Sequence, residues 1–236
     1  MGAVALVIGV GPGLGSAVAR RFAREGCAVA LVARSEERLR PVQEAIVAAG
    51  GTALSVPCDA TDPDATARAV EQVRASLGPP EVLVYNAGAF VRGEVADLDP
   101  DGFEQAWRAN CFGAFLAARL VVPEMRRLGR GTILLTGATA SLRGGAGFSA
   151  LAVGKFGLRA LAQSLARENG AHGIHVAHVV VDGQIDLERT RRALPDRPAE
   201  SFLSPDALAD VYWSLHRQDR TTWTHEIDVR PAGEKF

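Results

Sequence analysis

The chain has 236 residues, a formal net charge of −1 and 47% apolar residues, which suits one folded domain over residues 1–236 and excludes a disordered chain. The near-zero charge gives no electrostatic basis for binding nucleic acid or an anionic membrane, and charged residues interrupt every apolar run well short of a bilayer span. Cys27, Cys58 and Cys111 are scattered without metal-ligand spacing, so reduced thiols, no metal and a cytoplasmic location are expected.

Val4 to Ile8 is an unbroken apolar run that predicts a buried strand. Gly9-Val10-Gly11-Pro12-Gly13-Leu14-Gly15 follows, and Leu14, Val18 and Phe22 then recur at helical spacing. A glycine turn between strand and helix lets backbone approach a phosphate, and the helix start adds free N–H groups and a positive dipole end. Steric need alone also produces such turns. Glu25-Gly26 ends the helix, and Cys27 to Val32 reads as a second strand. Ser35 is placed as the N-cap of the next helix, with Glu36 and Glu37 in its first turn and Gly50-Gly51 at its end.

Ala53 to Val56 predicts a third strand, closed by Cys58-Asp59, and Asp62-Pro63 opens a third helix that Gly78-Pro79-Pro80 breaks. Glu81 to Tyr85 is a fourth strand ending in Asn86-Ala87-Gly88, and Asp99-Pro100 starts a long helix towards Arg127. Thr132 to Thr136 is a fifth strand, Ser149 to Asn169 a helix and Ile174 to Val181 a sixth strand. Pro205 to His216 is a short helix and Glu226 to Val229 a last strand. Apolar strands alternating with helices predict an α/β fold, a parallel sheet covered on both faces. Ligands of such sheets bind beyond the strand C-terminal ends, where Gly13, Arg34, Asp59, Asn86, Thr136 and Asp182 all fall. The charged stretch 182–204 reads either as a loop over a ligand or as a surface excursion.

These residues resemble the short-chain dehydrogenase/reductase family over nearly the whole chain. Gly9-x-x-x-Gly13-x-Gly15, Asp59, Asn86-Ala87-Gly88, Asn110 and Lys155 stand in the family's order and spacing. The resemblance implies a Rossmann-type, doubly wound sheet of about seven strands, a nicotinamide cofactor, a small-molecule substrate and homodimers or homotetramers. It places Gly9, Gly13 and Gly15 at the pyrophosphate, Asp59 at the adenine amino group, and Asn86, Ala87 and Gly88 at the adenosine ribose. Leu14, Ser35, Ala60 and Ile185 are the neighbours set against the same cofactor. Asn110 orders a water beside the lysine, and Lys155 binds the nicotinamide ribose. Each has a plainer reading: a turn aspartate for Asp59, a strand-ending turn for Asn86-Ala87-Gly88, a buried amide for Asn110. A solvated lysine fits Lys155 poorly, because Ala152-Val153-Gly154 and Phe156-Gly157-Leu158 flank it.

Arg34 bears on the choice of cofactor. No carboxylate follows the second strand, which reads Leu31-Val32-Ala33-Arg34-Ser35; an arginine fork there suits a 2′-phosphate, so NADP(H) is expected over NAD(H). The alternative is a solvated arginine at a helix start.

The pattern breaks at the chemistry. The resemblance implies a tyrosine one helical turn before the lysine, where the chain has Leu151, and a serine at the end of the fifth strand, where it has Ala138. Ile8, Asp182-Gly183 and the ending from Trp223 to Pro231 also depart from the family's pattern. Ser149, about 200° around the helix from the tyrosine position, is expected to face away. Asp182 or Asp186, raised by burial, or a water held by Asn110 and Lys155, are left as proton sources. The reading that follows is an NADP(H)-dependent oxidoreductase with an altered relay, acting on a carbonyl or alcohol; the alternatives are a nucleotide-binding protein without turnover and a non-redox lyase or isomerase in the same pocket.

Overall fold

The computed structural model describes residues 2–234. In chain order the first half is β1 (Val4–Ile8), α1 (Leu14–Arg24), β2 (Ala28–Ala33), α2 (Glu36–Ala48), β3 (Thr52–Pro57), α3 (Pro63–Leu77) and β4 (Pro80–Tyr85). The second half is α4 (Pro100–Trp107), α5 (Gly113–Leu128), β5 (Gly131–Ala138), α6 (Ser149–Asn169), β6 (Ile174–Val181), β7 (Gln184–Ile185), α7 (Glu188–Ala193), β8 (Phe202–Leu203), α8 (Pro205–His216) and β9 (Glu226–Val229). Strand ends move from their predicted places by no more than about two residues, as boundaries read from sequence do.

Seven strands form one parallel sheet in the order β3-β2-β1-β4-β5-β6-β9. Alternate side chains of each strand enter opposite layers. Ala5 and Val7 pack with α1, α2 and α8, while Val4, Leu6 and Ile8 pack with α3, α5 and α6. Covering both faces is what the unbroken apolar strands require. The chain leaves β1 in one direction, builds β2 and β3, and returns to the other side of β1 to build β4. The loops after β1 and β4 therefore diverge and open a crevice at the strand C-terminal ends.

Three expectations change. The long helix predicted from Asp99 is divided by a π turn over Arg108–Phe112, where the N–H of Gly113 donates to the carbonyl of Arg108, five residues back. Tyr85 supplies a cause: its hydroxyl donates to the carbonyl of Ala109 at 2.8 Å, a polar group inserted into the helix ladder. Ser35 does sit at the N-cap of α2, but its side chain makes no capping bond, unlike Asp62, Asp99 and Ser204 on α3, α4 and α8. The stretch 182–204 has structure of its own: β7 pairs with β8, α7 lies between them, and Phe202 and Leu203 are buried. All three cysteines are free thiols, and burial pushes each above its ordinary pKa.

His216 ties α8 to the far end of the sheet, its Nδ1 2.9 Å from Thr132 Oγ1 and its ring against Phe22 and Trp213. Burial, helped by the charges of Arg217 and His175, brings its pKa down to about 4. The unfolded chain takes this proton near pH 6.5 and the folded one does not, so stability is whole above about 6.5 and falls as pH drops towards 4, by about 2–3 kcal/mol. Urea unfolding at pH 8 and pH 4.5 is expected to show a smaller acid loss in His216→Gln than in the parent; equal losses would contradict the assignment.

Candidate functional site

The crevice begins where β1 ends. Gly9 has φ +93 and its N–H donates to the carbonyl of Val32 at 2.8 Å, pinning the turn to β2. A Cβ on Gly9 would lie 2.3 Å from the backbone nitrogen of Ala87, and one on Gly15 would lie 2.4 Å from the carbonyl oxygen of Gly9. Both positions exclude a side chain because backbone is already there. A Cβ on Gly11 would meet nothing, which leaves that side of the turn open. The first turn of α1 carries no acidic residue, and its leading N–H groups, from Leu14 onward, have no helical acceptor. A cradle of backbone donors with an open side fits a nucleotide diphosphate.

Arg34 is exposed just past β2 and Ser35 is half-buried beside it. Asp59, beyond β3, accepts the N–H and hydroxyl of Thr61 at 2.9 and 2.8 Å, so the turn-forming role weighed from the sequence is present. Partial burial works to raise the Asp59 carboxyl, but the Thr61 bonds and then the charges of Arg34 and Arg108 outweigh it, and its pKa stays below the usual value. The carbonyl of Ala60 lies against Gly113, closing this corner onto α5. Asn86 braces the sheet: its backbone N–H donates to Ile8 at 2.8 Å and its Nδ2 to Gly9 at 3.1 Å.

Gly88 leads to the innermost groups. A Cβ there would lie 2.8 Å from Asn110 Oδ1 and 3.8 Å from Lys155 Nζ. Asn110 sits in the π turn, 1% exposed, with Nδ2 donating to the carbonyls of Ala89 and Ala106 at 2.8 and 2.9 Å. Its Oδ1 has no partner among the described residues. Lys155 is 7% exposed and its Nζ donates to the carbonyl of Thr136 at 2.7 Å. Burial lowers the ammonium to about pKa 8, against a smaller opposing effect of Cys111. Two buried polar groups with unused bonding capacity, reached past the glycine turn, fit a ribose and a water.

Around this pair the expected proton donors are missing. Leu151 is half-buried on α6, one turn before Lys155, and Ala138 ends β5 with its N–H given to Ser141 Oγ at 3.1 Å. The two aspartates weighed as substitutes are both bonded to neighbours. Asp182 is buried, but one oxygen accepts from Thr139 and the other pairs with Arg230 at 3.1 Å. Asp186 is bonded to Arg191, and that bond lowers its pKa. Ser149 Oγ is buried without a partner among the described residues. Ile185 is half-buried in β7, opposite Leu203 of β8.

Two arrangements were not legible in the sequence. The imidazole of His178, fully buried in β6, has Nδ1 2.9 Å from Glu226 Oε2 in β9, and Glu226 accepts two bonds from Arg159 of α6 at 2.7 Å. Burial keeps His178 below its ordinary pKa despite Glu226. A Cβ on Gly137 would lie 2.3 Å from His178 Nε2, so this glycine makes room for the ring. The other is Leu187, whose Cδ2 lies 2.7 Å from where a Cβ on Gly13 would stand. A histidine in an apolar strand and a leucine in a polar loop carry no signal of their partners.

The profile of the short chain dehydrogenase family matches residues 3–195. The chain is 31% identical to a fatty acyl-CoA reductase of Acinetobacter baylyi over 95% of its own length and 76% of that protein's. It superposes on a short-chain dehydrogenase of Rhodopseudomonas palustris with a TM-score of 0.85 and 38% identity, covering 97% of this chain and 98% of the other. A metagenomic short-chain oxidoreductase in complex with NADP gives a TM-score of 0.86 at 32% identity, covering 98% of each chain. With the glycine cradle, the parallel sheet and the buried lysine already in place, these matches make the chain a member of the short-chain dehydrogenase family and an NAD(P)-dependent oxidoreductase.

Proposed function

We propose that the enzyme interconverts a carbonyl compound and an alcohol, uses NADP(H) in preference to NAD(H), and moves the proton without the family's tyrosine. The observation that carries this reading is the buried pair: Lys155 held on the carbonyl of Thr136, and the unpartnered Asn110 Oδ1 beside it. Gly9, Gly13, Leu14 and Gly15 would hold the diphosphate, and Arg34 and Ser35 the 2′-phosphate. Asp59 and Ala60 would hold the adenine, Asn86, Ala87 and Gly88 the adenosine ribose, and Lys155 and Ile185 the nicotinamide end. When bound, the nicotinamide ring supplies or accepts the hydride.

The chain's own residues then have to place the carbonyl and deliver a proton to its oxygen. Leu151 and Ala138 offer no exchangeable proton. Asn110 Oδ1 is an acceptor suited to hold a water, and the Lys155 ammonium, at a pKa of about 8, releases a proton near neutral pH to that water. A general acid of this kind contributes typically 10²–10⁴-fold, most of the remaining barrier being lowered by positioning. The mouth of the pocket is apolar, with Phe90 against Phe148 at 5.8 Å and Arg92 over the Phe148 ring. The substrate is a small molecule that meets this wall. The enzyme is a cytoplasmic protein of one domain; among the described residues no helix is long and apolar enough to cross a membrane. It is a homodimer or homotetramer, supported by Phe115 on α5 and Val153 and Phe156 on α6, each more than two-fifths exposed.

Four outcomes test this. NADPH is expected to bind at least tenfold more tightly than NADH in fluorescence titrations, and Arg34→Asp is expected to reverse the order; tighter NADH binding by the parent overturns the cofactor preference. Reduction of a carbonyl panel is expected to fall as pH rises through about 8, as the ammonium is lost, and to vanish in Lys155→Met; a rate rising with pH removes the lysine from the proton path. Leu151→Tyr is expected to raise that reduction about 10²-fold, the contribution of a restored general acid. Light scattering is expected to report a dimer or tetramer that Phe156→Glu dissociates.

A further inference from the structure

The bond from Lys155 to the carbonyl of Thr136 joins a helix to a strand end, so its geometry depends on what holds each of them. On the helix side, Arg159 stands one turn after Lys155 on α6 and donates to both oxygens of Glu226 at 2.7 Å. On the strand side, the residue after Thr136 is Gly137. The space of its missing side chain is taken by the ring of His178, whose Nε2 lies 2.3 Å from where a Cβ would stand. The ring is held in that place by its other nitrogen, Nδ1, 2.9 Å from Glu226 Oε2. Both supports therefore end on one carboxylate, opposite His178 in the register of β6 and the edge strand β9.

Packing alone does not account for an imidazole at position 178. The ring is fully buried and its Nε2 has no partner among the described residues. An unpaired buried polar atom is costly, and a leucine would fill space under Gly137 without that cost. What the imidazole adds is the bond to Glu226, and with it a fixed link from the edge strand to Gly137. The helix side is built to the same end. Arg159 and Glu226 keep only 33% and 28% of their side chains exposed, and their two parallel bonds set an orientation that a single surface ion pair does not.

We propose that Glu226 is a positioning residue for Lys155: through Arg159 it holds the helix that carries the amine, and through His178 it holds the strand end that carries the amine's acceptor. This rests on the reading of Lys155 as the proton source in carbonyl reduction. Removing the carboxylate frees both ends of the Lys155–Thr136 bond and lets water reach the amine. The charged and titratable groups around that amine are Cys111 of the π turn, His178 of β6 and, beyond the imidazole, Arg159 and Glu226. Loss of the Glu226 charge alone leaves Arg159 uncompensated and pushes the ammonium's pKa down, whereas hydration of a loosened amine moves it up. The two effects have opposite signs.

Lysine occurs at only two positions, Lys155 and Lys235, so NMR of the full chain labelled in its lysines reads the titration directly. The Lys155 signal is the one absent from Lys155→Met. In the parent it is expected to titrate at about pH 8. Glu226→Ala is expected to move that midpoint up by about one pH unit, and His178→Leu, which changes no charge at neutral pH, by about half as much in the same direction. Reduction of the carbonyl panel at pH 7 is expected to fall about tenfold in Glu226→Ala, as misplacement of a reacting group does. Glu226→Gln, which keeps an acceptor for Arg159 and a donor for the other His178 tautomer, is expected to stay within about threefold of the parent and to show no upward shift. A midpoint that is unchanged or moves down in folded Glu226→Ala and His178→Leu overturns the positioning role, the downward case being the charge effect. Where Glu226→Ala does not fold, His178→Leu decides by the same criterion. A parent Lys155 that titrates at its ordinary value overturns instead the reading of the lysine on which the proposal rests.

Discussion

Backbone lies directly on backbone where β1 meets β4. No side chain fits on Gly9, because the nitrogen of Ala87 occupies that volume, and none fits on Gly15, because the carbonyl of Gly9 does. This double contact sets the height at which the glycine turn leaves the sheet, and Asn86 fixes it with one backbone and one side-chain bond across the same gap. Everything downstream inherits that position. Two residues beyond Asn86, Gly88 passes Asn110 and Lys155 so closely that a methyl group would collide with the amide oxygen. The glycine turn and the buried lysine are therefore linked through the short stretch Asn86–Gly88, which touches Gly9 at one end and Asn110 and Lys155 at the other.

Burying the lysine is costly, since desolvation penalises the charged amine. A backbone carbonyl offsets part of that cost without adding a charge, and the lowered pKa expresses the rest. In this chain the amine does not face a phenol, because Leu151 stands one turn away. In the proposed reaction, the same burial that would ordinarily serve a neighbouring acid makes the lysine itself the proton source. Below it, His178 is kept neutral by desolvation and therefore adds no second positive charge at neutral pH.

The alternation of apolar strands and helices was enough to give the sheet, its two covered faces and the edge that carries the site, because burial on both faces leaves an unmistakable run of apolar residues. Gly9 and Gly15 stand out in the sequence because backbone already fills the space of a side chain there, and Asn86, Asn110 and Lys155 because a polar residue among apolar neighbours needs a partner. Other residues were not. The π turn depends on Tyr85 reaching a carbonyl on a helix 24 residues away, which no local pattern encodes. That Leu187 lies where a side chain on Gly13 would stand is likewise encoded in no local pattern. Asp186 carried the right chemistry for an acid, and its bond to Arg191 lowers its pKa instead, while Asp182 is taken up by Thr139 and Arg230. Local sequence reports what a residue is able to do; the partner that decides whether it does so lies elsewhere in the chain.

The Arg159–Glu226–His178 network gives the end of the chain an unexpected weight. Arg159 is one turn beyond Lys155 on the same helix, and the acid that holds it belongs to a four-residue edge strand. Glu226 is the carboxylate shared by a buried histidine of β6 and an arginine of the lysine's helix. The edge strand thus ties β6 and α6 to each other from the end of the sheet, and whatever happens at residue 226 is felt on the helix that carries Lys155.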